Sequence, residues 1–419
     1  MRGACVTTSV LPTFADVEAA AEQLAGVVHA TPFFRSDALC DLTGANVMLK
    51  CENLQRTGSF KVRGSYVKLQ SLSPAERAAG VVAASAGNHA QGVAYHAARL
   101  GIDATIVMPK TTPYGKMRRT EAMGVRVVLE GGTFAEAASL AQVLAHDQGR
   151  TMIHPYDDPW VVAGQGTVGL EMMHAQPQLD AVLVPVGGGG LIAGVAIAIK
   201  HLAPEVQVYG VQTEAYCALY EMLHHSRPHS NGAPTLAEGI AVKEIGRMNA
   251  AIVQDLIEDV LLVDEPTLER AIHHVLDDEK MLVEGAGAAG LAALLLHRDL
   301  FAGRRVGLIL SGANLDTGLL ASVILRARFQ EGLVARVRVQ IGDSPGSLSD
   351  ISSLLAQHYA NVVDVSHHRA FSGVPAKCAE LDFTIEMRHP RDIYSIIDDL
   401  REATFETTIL AGGLCDARS

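Results

Sequence analysis

Short apolar runs alternate with alanine-rich stretches of helical length between about Asp41 and Leu310. The runs contain hardly any polar residues, which is typical of parallel strands covered by other elements on both faces. We predict strands over residues 81–84, 104–108, 125–129, 181–186, 206–210 and 306–310. Helices are predicted between them, for example over residues 89–100 and 115–123. The alternation predicts a doubly wound parallel α/β fold, in which ligands bind beyond the carboxyl ends of the strands.

The pattern changes near Glu331, where apolar and polar residues begin to alternate. Residues 333–341 place apolar side chains on one face and Arg336, Arg338 and Gln340 on the other, as in an antiparallel strand with one solvated face. We then predict a helix around residues 348–355, strands near residues 362–365 and 381–387, a helix over residues 393–400 and a strand over residues 404–410. This βαββαβ order predicts a ferredoxin-like module.

Charge and hydropathy exclude two classes of partner. The 419 residues include 34 Lys and Arg against 46 Asp and Glu, a formal net charge of −12, and the basic residues are scattered. Such a chain gains no counterion-release free energy from DNA or RNA, so nucleic acid is not an expected partner. The charge-free stretch from 181 to 199 is interrupted by Pro185 and four glycines, so we predict a strand, a turn and a helix there and no membrane span.

Cysteine usage and the first residues indicate the cellular compartment. The six cysteines lie far apart and form no C-x-x-C pair; they are Cys5, Cys40, Cys51, Cys217, Cys378 and Cys415. This spacing fits a reducing cytosol better than a disulfide framework or a zinc site. Residues 1–8 lack the apolar segment of a signal peptide. We therefore expect a cytoplasmic protein.

Four consecutive glycines, Gly187, Gly188, Gly189 and Gly190, follow the strand predicted over residues 181–186 and precede an apolar helix. Their backbone N–H groups can turn toward one anion, and the helix dipole adds to the attraction. No Gly-Lys-Ser/Thr ending is present, so the segment is not a nucleotide P-loop. A simple tight turn would need only one or two glycines. The segment therefore predicts a phosphate cradle.

Two matches to G-x-G-x-x-G, at residues 164–169 and 285–290, are weaker signals in a chain with 39 glycines. Neither match follows a convincing strand, and neither is followed by an acidic residue in the setting that a dinucleotide site requires. We interpret both as glycines that allow close helix packing.

A lysine stands in the segment Ser59-Phe60-Lys61-Val62-Arg63-Gly64. A single lysine is usually a solvated surface charge, but this one has a flanking aromatic residue and occurs in a chain with a predicted phosphate cradle. A lysine amine can form a Schiff base with an aldehyde, and pyridoxal phosphate supplies both an aldehyde and a phosphate. Lys61 is therefore the candidate residue for binding this cofactor.

Two polar turns follow predicted strands. Ser85-Ala86-Gly87-Asn88-His89 comes after the strand at residues 81–84, and Ser311-Gly-Ala-Asn314 comes after the strand at residues 306–310. The free N–H groups of the first turn suit a carboxylate, and the Asn88 side chain can hydrogen-bond a ring oxygen. The alternative for the first turn is an ordinary helix N-cap formed by Ser85 or Asn88.

Taken together and in this order, these segments resemble the fold-type II pyridoxal-phosphate enzymes, which have the tryptophan synthase β-like fold. They most resemble the threonine ammonia-lyases (threonine dehydratases), which share this fold with serine racemase, and the resemblance covers roughly residues 15–325. The tail resembles an ACT domain. The resemblance implies a catalytic domain over residues 1–330, with a small subdomain at about 55–155 inserted in the large one, and an ACT-like regulatory domain over residues 331–419.

The resemblance also implies roles for individual residues. Lys61 would carry the cofactor and later act as the base on the substrate Cα. The implied cofactor-binding residues are Phe60, Lys61, Asn88, Gly187, Gly188, Gly189, Gly190, Leu191, Gly239 and Ser311. Asn88 would bind the cofactor 3′-oxygen, and Ser311 would face the pyridine nitrogen. Backbone amides across Ser85, Ala86, Gly87, Asn88 and His89 would hold the substrate carboxylate. Glu284, in the segment Glu-Gly-Ala-Gly, is expected only to support the other site residues.

The implied reaction is deamination of L-threonine, and also of L-serine, by elimination of water, which yields 2-oxobutanoate or pyruvate and ammonia. A serine at the ring nitrogen does not force that nitrogen to be protonated, which favours β-elimination over transamination. Serine racemase has a serine where this chain has Ala86, so racemisation is disfavoured. Lyases for another β-hydroxy amino acid, such as 3-hydroxyaspartate or phenylserine, remain alternatives, as does serine racemase.

The resemblance bears on metals, effectors and assembly as well. Racemase-like relatives use a glutamate where this chain has Gln212, and a neutral amide binds hard cations weakly, so no metal site is predicted. The adjacent histidine pairs at 224–225, 273–274 and 367–368 are interpreted as surface residues. Isoleucine or valine is the expected effector at paired ACT-like domains, which implies a homodimer or homotetramer. A role in isoleucine biosynthesis and a catabolic role both remain open.

Overall fold

The structure is a computed structural model that describes residues 11–225, 230–369 and 375–412. Residues 1–8, Cys5 and Cys415 lie outside the described residues. The chain divides into two compact units, Met1–Leu315 and Asp316–Ser419. The predicted domain boundary after residue 330 lies further along the chain, because the helix Thr317–Gln330 belongs to the second unit. The sequence-based domain limits, including the small subdomain at 55–155, therefore stay predictions.

The first unit alternates strands and helices along most of its length. Its strands are β1 (Phe33–Arg35), β2 (Asn46–Lys50), β3 (Val81–Ala84), β4 (Ala104–Met108), β5 (Arg126–Leu129), β6 (Thr151–Met152), β7 (Ala181–Pro185), β8 (Gln207–Thr213), β9 (Asp259–Val263) and β10 (Arg305–Ile309). Its helices are α1 (Phe14–Leu24), α2 (Asp37–Thr43), α3 (Lys61–Gln70), α4 (Pro74–Ala79), α5 (Asn88–Leu100), α6 (Tyr114–Glu121), α7 (Phe134–Asp147), α8 (Pro159–Ala175), α9 (Gly190–Leu202), α10 (Ala218–His224), α11 (Arg247–Val253), α12 (Glu265–Asp277), α13 (Gly285–Leu296) and α14 (Arg298–Phe301).

Within the described residues, the strands of this unit form two sheets. One has the order β1-β2-β10-β7-β8-β9 and is parallel except for β1 at its edge. The other has the order β5-β4-β3-β6 and is parallel throughout. Every residue of β3, β4 and β7 is buried, because other elements cover both faces of the sheets. The predicted doubly wound parallel α/β fold is confirmed.

The sequence analysis did not include three strands of the larger sheet, the three-residue edge strand β1 and the strands β2 and β9. The β2 sequence Asn-Val-Met-Leu-Lys has polar ends, yet Lys50 is 1% exposed because its amine meets the Glu171 carboxylate. The β9 sequence contains an apolar run from Val260 to Val263 that could have been recognised. The predicted strands agree with the observed ones to within three residues at each end, and β8 continues to Thr213.

Glycines let three helices of this unit approach one another closely. A Cβ at Gly164 of α8 would lie 2.6 Å from the Cα of Gly64 in α3. A Cβ at Gly194 of α9 would overlap the carbonyl oxygen of Val162 in α8. The glycines of the first G-x-G-x-x-G match therefore serve helix packing, as the sequence analysis interpreted them. Gly285 and Gly287 of the second match instead let α13 approach non-helical backbone, because a Cβ there would overlap residue 236 or the carbonyl of residue 312.

The second unit consists of α15 (Thr317–Gln330), β11 (Val334–Gly342), α16 (Ser347–Gln357), β12 (Asn361–His368), β13 (Cys378–Glu386), α17 (Asp392–Glu402) and β14 (Glu406–Ala411). Its sheet has the order β12-β13-β11-β14 and is antiparallel. Buried residues such as Val337, Phe383 and Ile396 join the sheet to its helices in one core. From β11 onward this is the predicted ferredoxin-like βαββαβ arrangement.

Residues 181–199, which carry no charge, divide into β7 and α9 on either side of the glycine segment. In the part of the chain that the structure describes, no helix has both the length and the apolar character that crossing a bilayer requires.

The close contact between α8 and α9 provides a stability test. We expect Gly194→Ala to lower the free energy of unfolding by about 1–3 kcal/mol, because the added methyl group forces two backbones apart. Urea denaturation measures this difference. Gly115→Ala in α6 is the matched control, since its Cβ would meet no atom within 4 Å, and we expect unchanged or slightly higher stability. Equal stabilities of the two variants would contradict the packing argument.

Candidate active site

Lys61 is the first residue of α3, and its amine lies between a backbone carbonyl and an aromatic ring. The Nζ atom donates a hydrogen bond of 2.8 Å to the backbone carbonyl of Pro155 and lies 5.2 Å from the centre of the Phe60 ring. Desolvation lowers the pKa of Lys61 to about 8, although the carboxylate of Glu284 opposes this shift. A substantial fraction of this amine is therefore uncharged near pH 8, which is the form that attacks a carbonyl carbon or accepts a proton.

The start of α3 is tied to the turn that follows β10. The N–H of Phe60 donates to the carbonyl of Ser311 at 3.2 Å, and Ser59 forms a bridge with Gly312. The N–H of Ala313 donates back to the carbonyl of Gly58 at 2.9 Å. The structure thus brings Phe60, Lys61 and Ser311 together, and Ser311 is only 3% exposed.

The four glycines lie between β7 and α9, as the sequence predicts. Gly189 is the N-cap of α9 with φ +90°, a conformation that side chains rarely adopt. A Cβ at Gly188 would overlap the ring of Tyr156, and a Cβ at Gly190 would lie 2.8 Å from the Tyr156 carbonyl oxygen. The backbone amides of this segment and of Leu191 belong to a helix start, where N–H groups lack partners from a preceding turn. The segment has the features of an anion site.

The segment Pro155–Tyr156 connects the lysine to the glycines. Pro155 accepts the hydrogen bond from Lys61, and the next residue, Tyr156, packs against Gly188. Asn249 in α11 holds both sides of this contact, because its Nδ2 donates to the carbonyls of Tyr156 at 3.1 Å and Gly188 at 2.8 Å. The Lys61 amine and the glycine segment therefore flank one short stretch of backbone.

Asn88, the first residue of α5, pairs with Glu284. Its Nδ2 donates to Glu284 Oε1 at 2.6 Å, and burial raises the pKa of Glu284. A Cβ at Gly239 would lie 3.2 Å from the same carboxylate oxygen, which places Gly239 at this site. The Asn88 Oδ1 atom is buried and has no hydrogen-bond partner among the described residues. The amide therefore retains capacity for a further polar group.

The turn at residues 85–89 leads from β3 into α5. Gly87 is the N-cap residue of α5, and its N–H donates to Ser85 Oγ at 3.2 Å. Ala86 packs against the core around β3 and β4. The His89 ring faces the protein interior, where Nε2 lies 3.0 Å from the carbonyl of Ile153. Desolvation and the nearby Lys61 lower the pKa of His89 to about 3, so its ring is neutral. His89 can therefore contribute to a carboxylate site only through its backbone.

Sequence reasoning missed Pro155, Tyr156 and Asn249, and it gave Glu284 only a supporting place. The segment 154–156 follows β6, which has two residues and is too short to recognise from a pattern. His154 shapes the segment, because its Nδ1 accepts hydrogen bonds from the N–H groups of Tyr156 at 3.3 Å and Asp157 at 2.8 Å. The His154-Pro155-Tyr156 sequence itself was the available signal.

Both polar atoms of the Gln212 side chain form hydrogen bonds inside the protein. It is fully buried, its Oε1 accepts hydrogen bonds from the N–H groups of Leu219 and Tyr220, and its Nε2 donates to the carbonyl of Val186 at 3.3 Å. Glu214 is exposed. Among the described residues, no three His, Cys, Asp or Glu side chains cluster as metal ligands would. The histidine pairs are exposed or partly exposed, and His224 and His274 contact Asp259 and Asp278.

The residues present fit pyridoxal phosphate. The glycine segment accepts a phosphate through backbone amides, since a side chain at Gly188 or Gly190 would meet Tyr156, one at Gly187 would crowd Ile240 and one at Gly189 would require a positive φ. The Lys61 amine, with its lowered pKa, suits a covalent bond to an aldehyde. The unpartnered Asn88 Oδ1 marks a place where a polar group is missing. These three features are those that a phosphorylated aldehyde requires.

Comparison with known proteins adds independent evidence. Residues 24–312 match the family described as "Pyridoxal-phosphate dependent enzyme". The chain is 42% identical over 389 residues to the L-threonine ammonia-lyase of Thermotoga maritima, which covers 92% of this chain and 97% of that protein. Because 389 residues exceed the length of the first unit, this similarity reaches into the second.

Two solved structures are also similar. The processed form of threonine deaminase isoform 2 from Solanum lycopersicum is 36% identical with a TM-score of 0.71, and the match covers 78% of this chain and 93% of that one. Maize serine racemase is 29% identical with a TM-score of 0.71, and the match covers 76% of this chain and 98% of that one.

The titration of Lys61 in the cofactor-free protein tests the electrostatics of the site. We expect its pKa to lie near 8 and to fall further in Glu284→Gln, because that substitution removes the charge that stabilises the ammonium form. Competitive labelling with an amine reagent across a pH series, read by mass spectrometry, measures it. The control is Glu130→Gln, which neutralises an exposed carboxylate beside Lys110. It should leave the pKa of Lys61 unchanged. An unchanged Lys61 pKa in the Glu284→Gln protein would show that the carboxylate does not act on the amine.

Proposed function

Because the chain belongs to the pyridoxal-phosphate dependent enzymes, we propose that it deaminates L-threonine, and also L-serine, by eliminating water. The products are 2-oxobutanoate or pyruvate, together with ammonia. The observation that carries the proposal is the Lys61 amine of lowered pKa, held next to an anion-binding glycine segment. The names of the Thermotoga maritima and Solanum lycopersicum relatives support threonine as the substrate.

Family membership confirms pyridoxal 5′-phosphate as the cofactor. When bound, it supplies an aldehyde for covalent attachment and a ring that stabilises negative charge at the substrate Cα. In our proposal Lys61 holds the aldehyde carbon, and the amides of Gly187, Gly188, Gly189, Gly190 and Leu191 hold the phosphate. Asn88 binds the 3′-oxygen, Ser311 faces the ring nitrogen, and Phe60 and Gly239 line the ring.

Lys61 is also the proposed base. Once the substrate amine has displaced it, the uncharged amine accepts the proton from the substrate Cα, and a pKa of about 8 makes that form far more abundant near neutral pH than it is for an ordinary lysine. The hydrogen bond to the carbonyl of Pro155 orients the amine lone pair by fixing one N–H. Hydroxide is a poor leaving group, so protonation of the β-hydroxyl contributes to the rate.

The start of α5 is the proposed substrate carboxylate site. Of the backbone amides across Ser85, Ala86, Gly87, Asn88 and His89, those of Asn88 and His89 belong to the helix N-terminus, where the dipole favours an anion. The N–H of Ser85 donates to the carbonyl of Val107 at 3.1 Å, and that of Gly87 donates to Ser85 Oγ. The Asn88 side chain then reaches the cofactor while its backbone reaches the substrate. Both reactant and cofactor would be held by one turn at the carboxyl end of β3.

The similarity to maize serine racemase makes racemisation an alternative reaction. Two residues favour elimination over racemisation. Ala86 cannot donate a proton to the face of Cα opposite Lys61, so racemisation lacks its acid. A Ser311 hydroxyl at the ring nitrogen does not force protonation, so negative charge at Cα is relieved by loss of the β-hydroxyl. Lyases for 3-hydroxyaspartate or phenylserine use the same contacts, and only the β-substituent distinguishes those substrates.

We further propose that the second unit is an ACT-like regulatory domain. Its ferredoxin-like order of strands and helices supports this assignment, as does a similarity to the Thermotoga maritima enzyme that extends into this unit. Isoleucine or valine would bind where two such domains pair in a homodimer or homotetramer, and would change the affinity of the catalytic part for substrate.

Substitution of Lys61 tests the chemistry directly. We expect Lys61→Ala to abolish both ammonia release from L-threonine and the visible absorption of bound cofactor, because the covalent link and the base are lost together. Ammonia assay and absorption spectroscopy measure the two properties. Lys110→Ala, which removes an exposed amine paired with Glu130, should retain both. Full turnover by Lys61→Ala would refute the proposed role of Lys61.

A substrate and effector panel tests specificity and regulation. We expect kcat/KM to be highest for L-threonine, lower for L-serine and lowest for 3-hydroxyaspartate and phenylserine, and we expect isoleucine or valine to shift the apparent KM. Sedimentation velocity in parallel reports the oligomer. A higher kcat/KM for 3-hydroxyaspartate than for L-threonine would contradict the proposal that threonine is the substrate. If neither branched-chain amino acid changes activity or oligomer size, the regulatory proposal fails.

A further inference from the structure

Four charged side chains lie together beneath the first turn of α3, close to Lys61, and three of them are buried. The side chains of Arg63 and Glu52 are 0% exposed, that of Lys50 is 2% exposed and that of Glu171 is 34% exposed. Two positive and two negative charges make the cluster formally neutral. We refer to these four residues as the Arg63 cluster.

The guanidinium group of Arg63 uses all of its five N–H donors. Nε and Nη2 donate to the two oxygens of Glu52 at 2.8 and 2.7 Å. Nη1 and Nη2 donate to the two oxygens of Glu171 at 2.6 and 2.9 Å, and Nη1 also donates to Thr167 Oγ1 at 3.1 Å. A guanidinium has no further donor, so this geometry is complete.

Lys50, the last residue of β2, joins the cluster through Glu171 and Thr31. Lys50 Nζ donates to Glu171 Oε2 at 2.6 Å and to the carbonyl of Thr31 at 2.9 Å. Thr31 Oγ1 donates to Glu52 Oε1 at 2.5 Å. Although burial opposes the shift, the guanidinium of Arg63 lowers the pKa of Glu52, so the carboxyl group stays ionised. Every charge in the cluster therefore has an opposite charge in direct contact.

Stability alone does not account for such a cluster. Desolvating four charges costs free energy that their attraction only roughly offsets, and well-packed apolar residues are often as stable in their place. What the fork of an arginine adds is geometry, since its planar donors accept partners in only one arrangement. A cluster of this kind is expected where an element must be held in one position.

The element held in this way is the beginning of α3. Arg63 stands two residues after Lys61, and its partners come from residue 52, directly after β2, and from α8. The backbones of α3 and α8 also meet at Gly64 and Gly164, which leaves no room for a side chain between them. The cluster thus fixes the first turn of α3 against β2 and α8 at the same time.

We propose that Arg63 is a positioning residue for Lys61, and that its five hydrogen bonds hold the first turn of α3 where the Lys61 amine reaches Pro155 and the cofactor. The inference rests on the proposed function of Lys61. Because a lysine side chain has four rotatable bonds, its amine keeps one location only if both its backbone and its hydrogen bond to Pro155 are held in place. A displacement of about 1 Å in a reacting group can reduce a rate by roughly 100-fold.

Arg63→Lys is the primary test, because it keeps the positive charge and removes the planar fork. We expect kcat for L-threonine to fall by about ten-fold or more, with a much smaller change in KM. In the cofactor-free protein we expect the pKa of Lys61 to rise from about 8 toward the ordinary lysine value, because a displaced amine is better solvated. Competitive labelling of Lys61 across a pH series measures this without turnover.

Arg305→Lys is the matched control. Arg305 forms a two-pronged pair with Asp180 in the same unit, through Nε at 3.1 Å and Nη2 at 2.8 Å, and it is not part of the site. The same substitution there should leave kcat and the Lys61 titration unchanged. Glu171→Gln is a second variant in case Arg63→Lys does not fold, since Glu171 is partly exposed and glutamine has its shape. We expect smaller changes in the same directions.

The outcomes separate this inference from the proposed function. If the Arg63→Lys or Glu171→Gln protein is less stable but keeps the wild-type kcat and Lys61 titration, the cluster is merely structural and the inference is overturned. If the wild-type protein does not deaminate threonine but the Lys61 titration still shifts in Arg63→Lys, the proposed function fails while the positioning role is supported.

Discussion

Placing a lysine amine where water is scarce is the constraint on which the rest of this structure depends. Burial lowers the pKa of Lys61 to about 8, and a hydrogen bond to the carbonyl of Pro155 holds the amine without supplying a full negative charge in direct contact. An amine in this state is both nucleophilic and basic near neutral pH. In our proposal, the residues around it fix its position or complete a site for a partner with an aldehyde and a phosphate.

The parallel sheets explain why the other groups converge on this amine. The turns after β3, β7 and β10 lie at carboxyl ends of parallel strands, where crossing connections leave room for ligands. Two of these turns begin the helices α5 and α9, so each presents free N–H groups and the positive end of a helix dipole. One suits a carboxylate and the other suits a phosphate, which are the two anionic ends of the proposed reactants.

The sequence predicted the parts of the site that depend on local patterns. Four consecutive glycines before an apolar helix have few other uses, and polar turns after apolar strands are recognisable from the order of residues alone. The contact of Pro155 with Lys61 and the pairing of Glu52 and Glu171 with Arg63 join residues up to 108 positions apart, which no local pattern encodes. Strand β2 was missed for a related reason, because Lys50 is a charge whose burial is possible only through a distant carboxylate.

Chemical capture of the cofactor tests the central claim most directly. The protein is incubated with pyridoxal 5′-phosphate, reduced with borohydride so that the covalent link becomes permanent, digested and examined by peptide mass spectrometry. The account predicts a cofactor-sized mass increase on the peptide that contains Lys61, and protection from this labelling when inorganic phosphate occupies the glycine segment. Attachment to other lysines with Lys61 unmodified would contradict it.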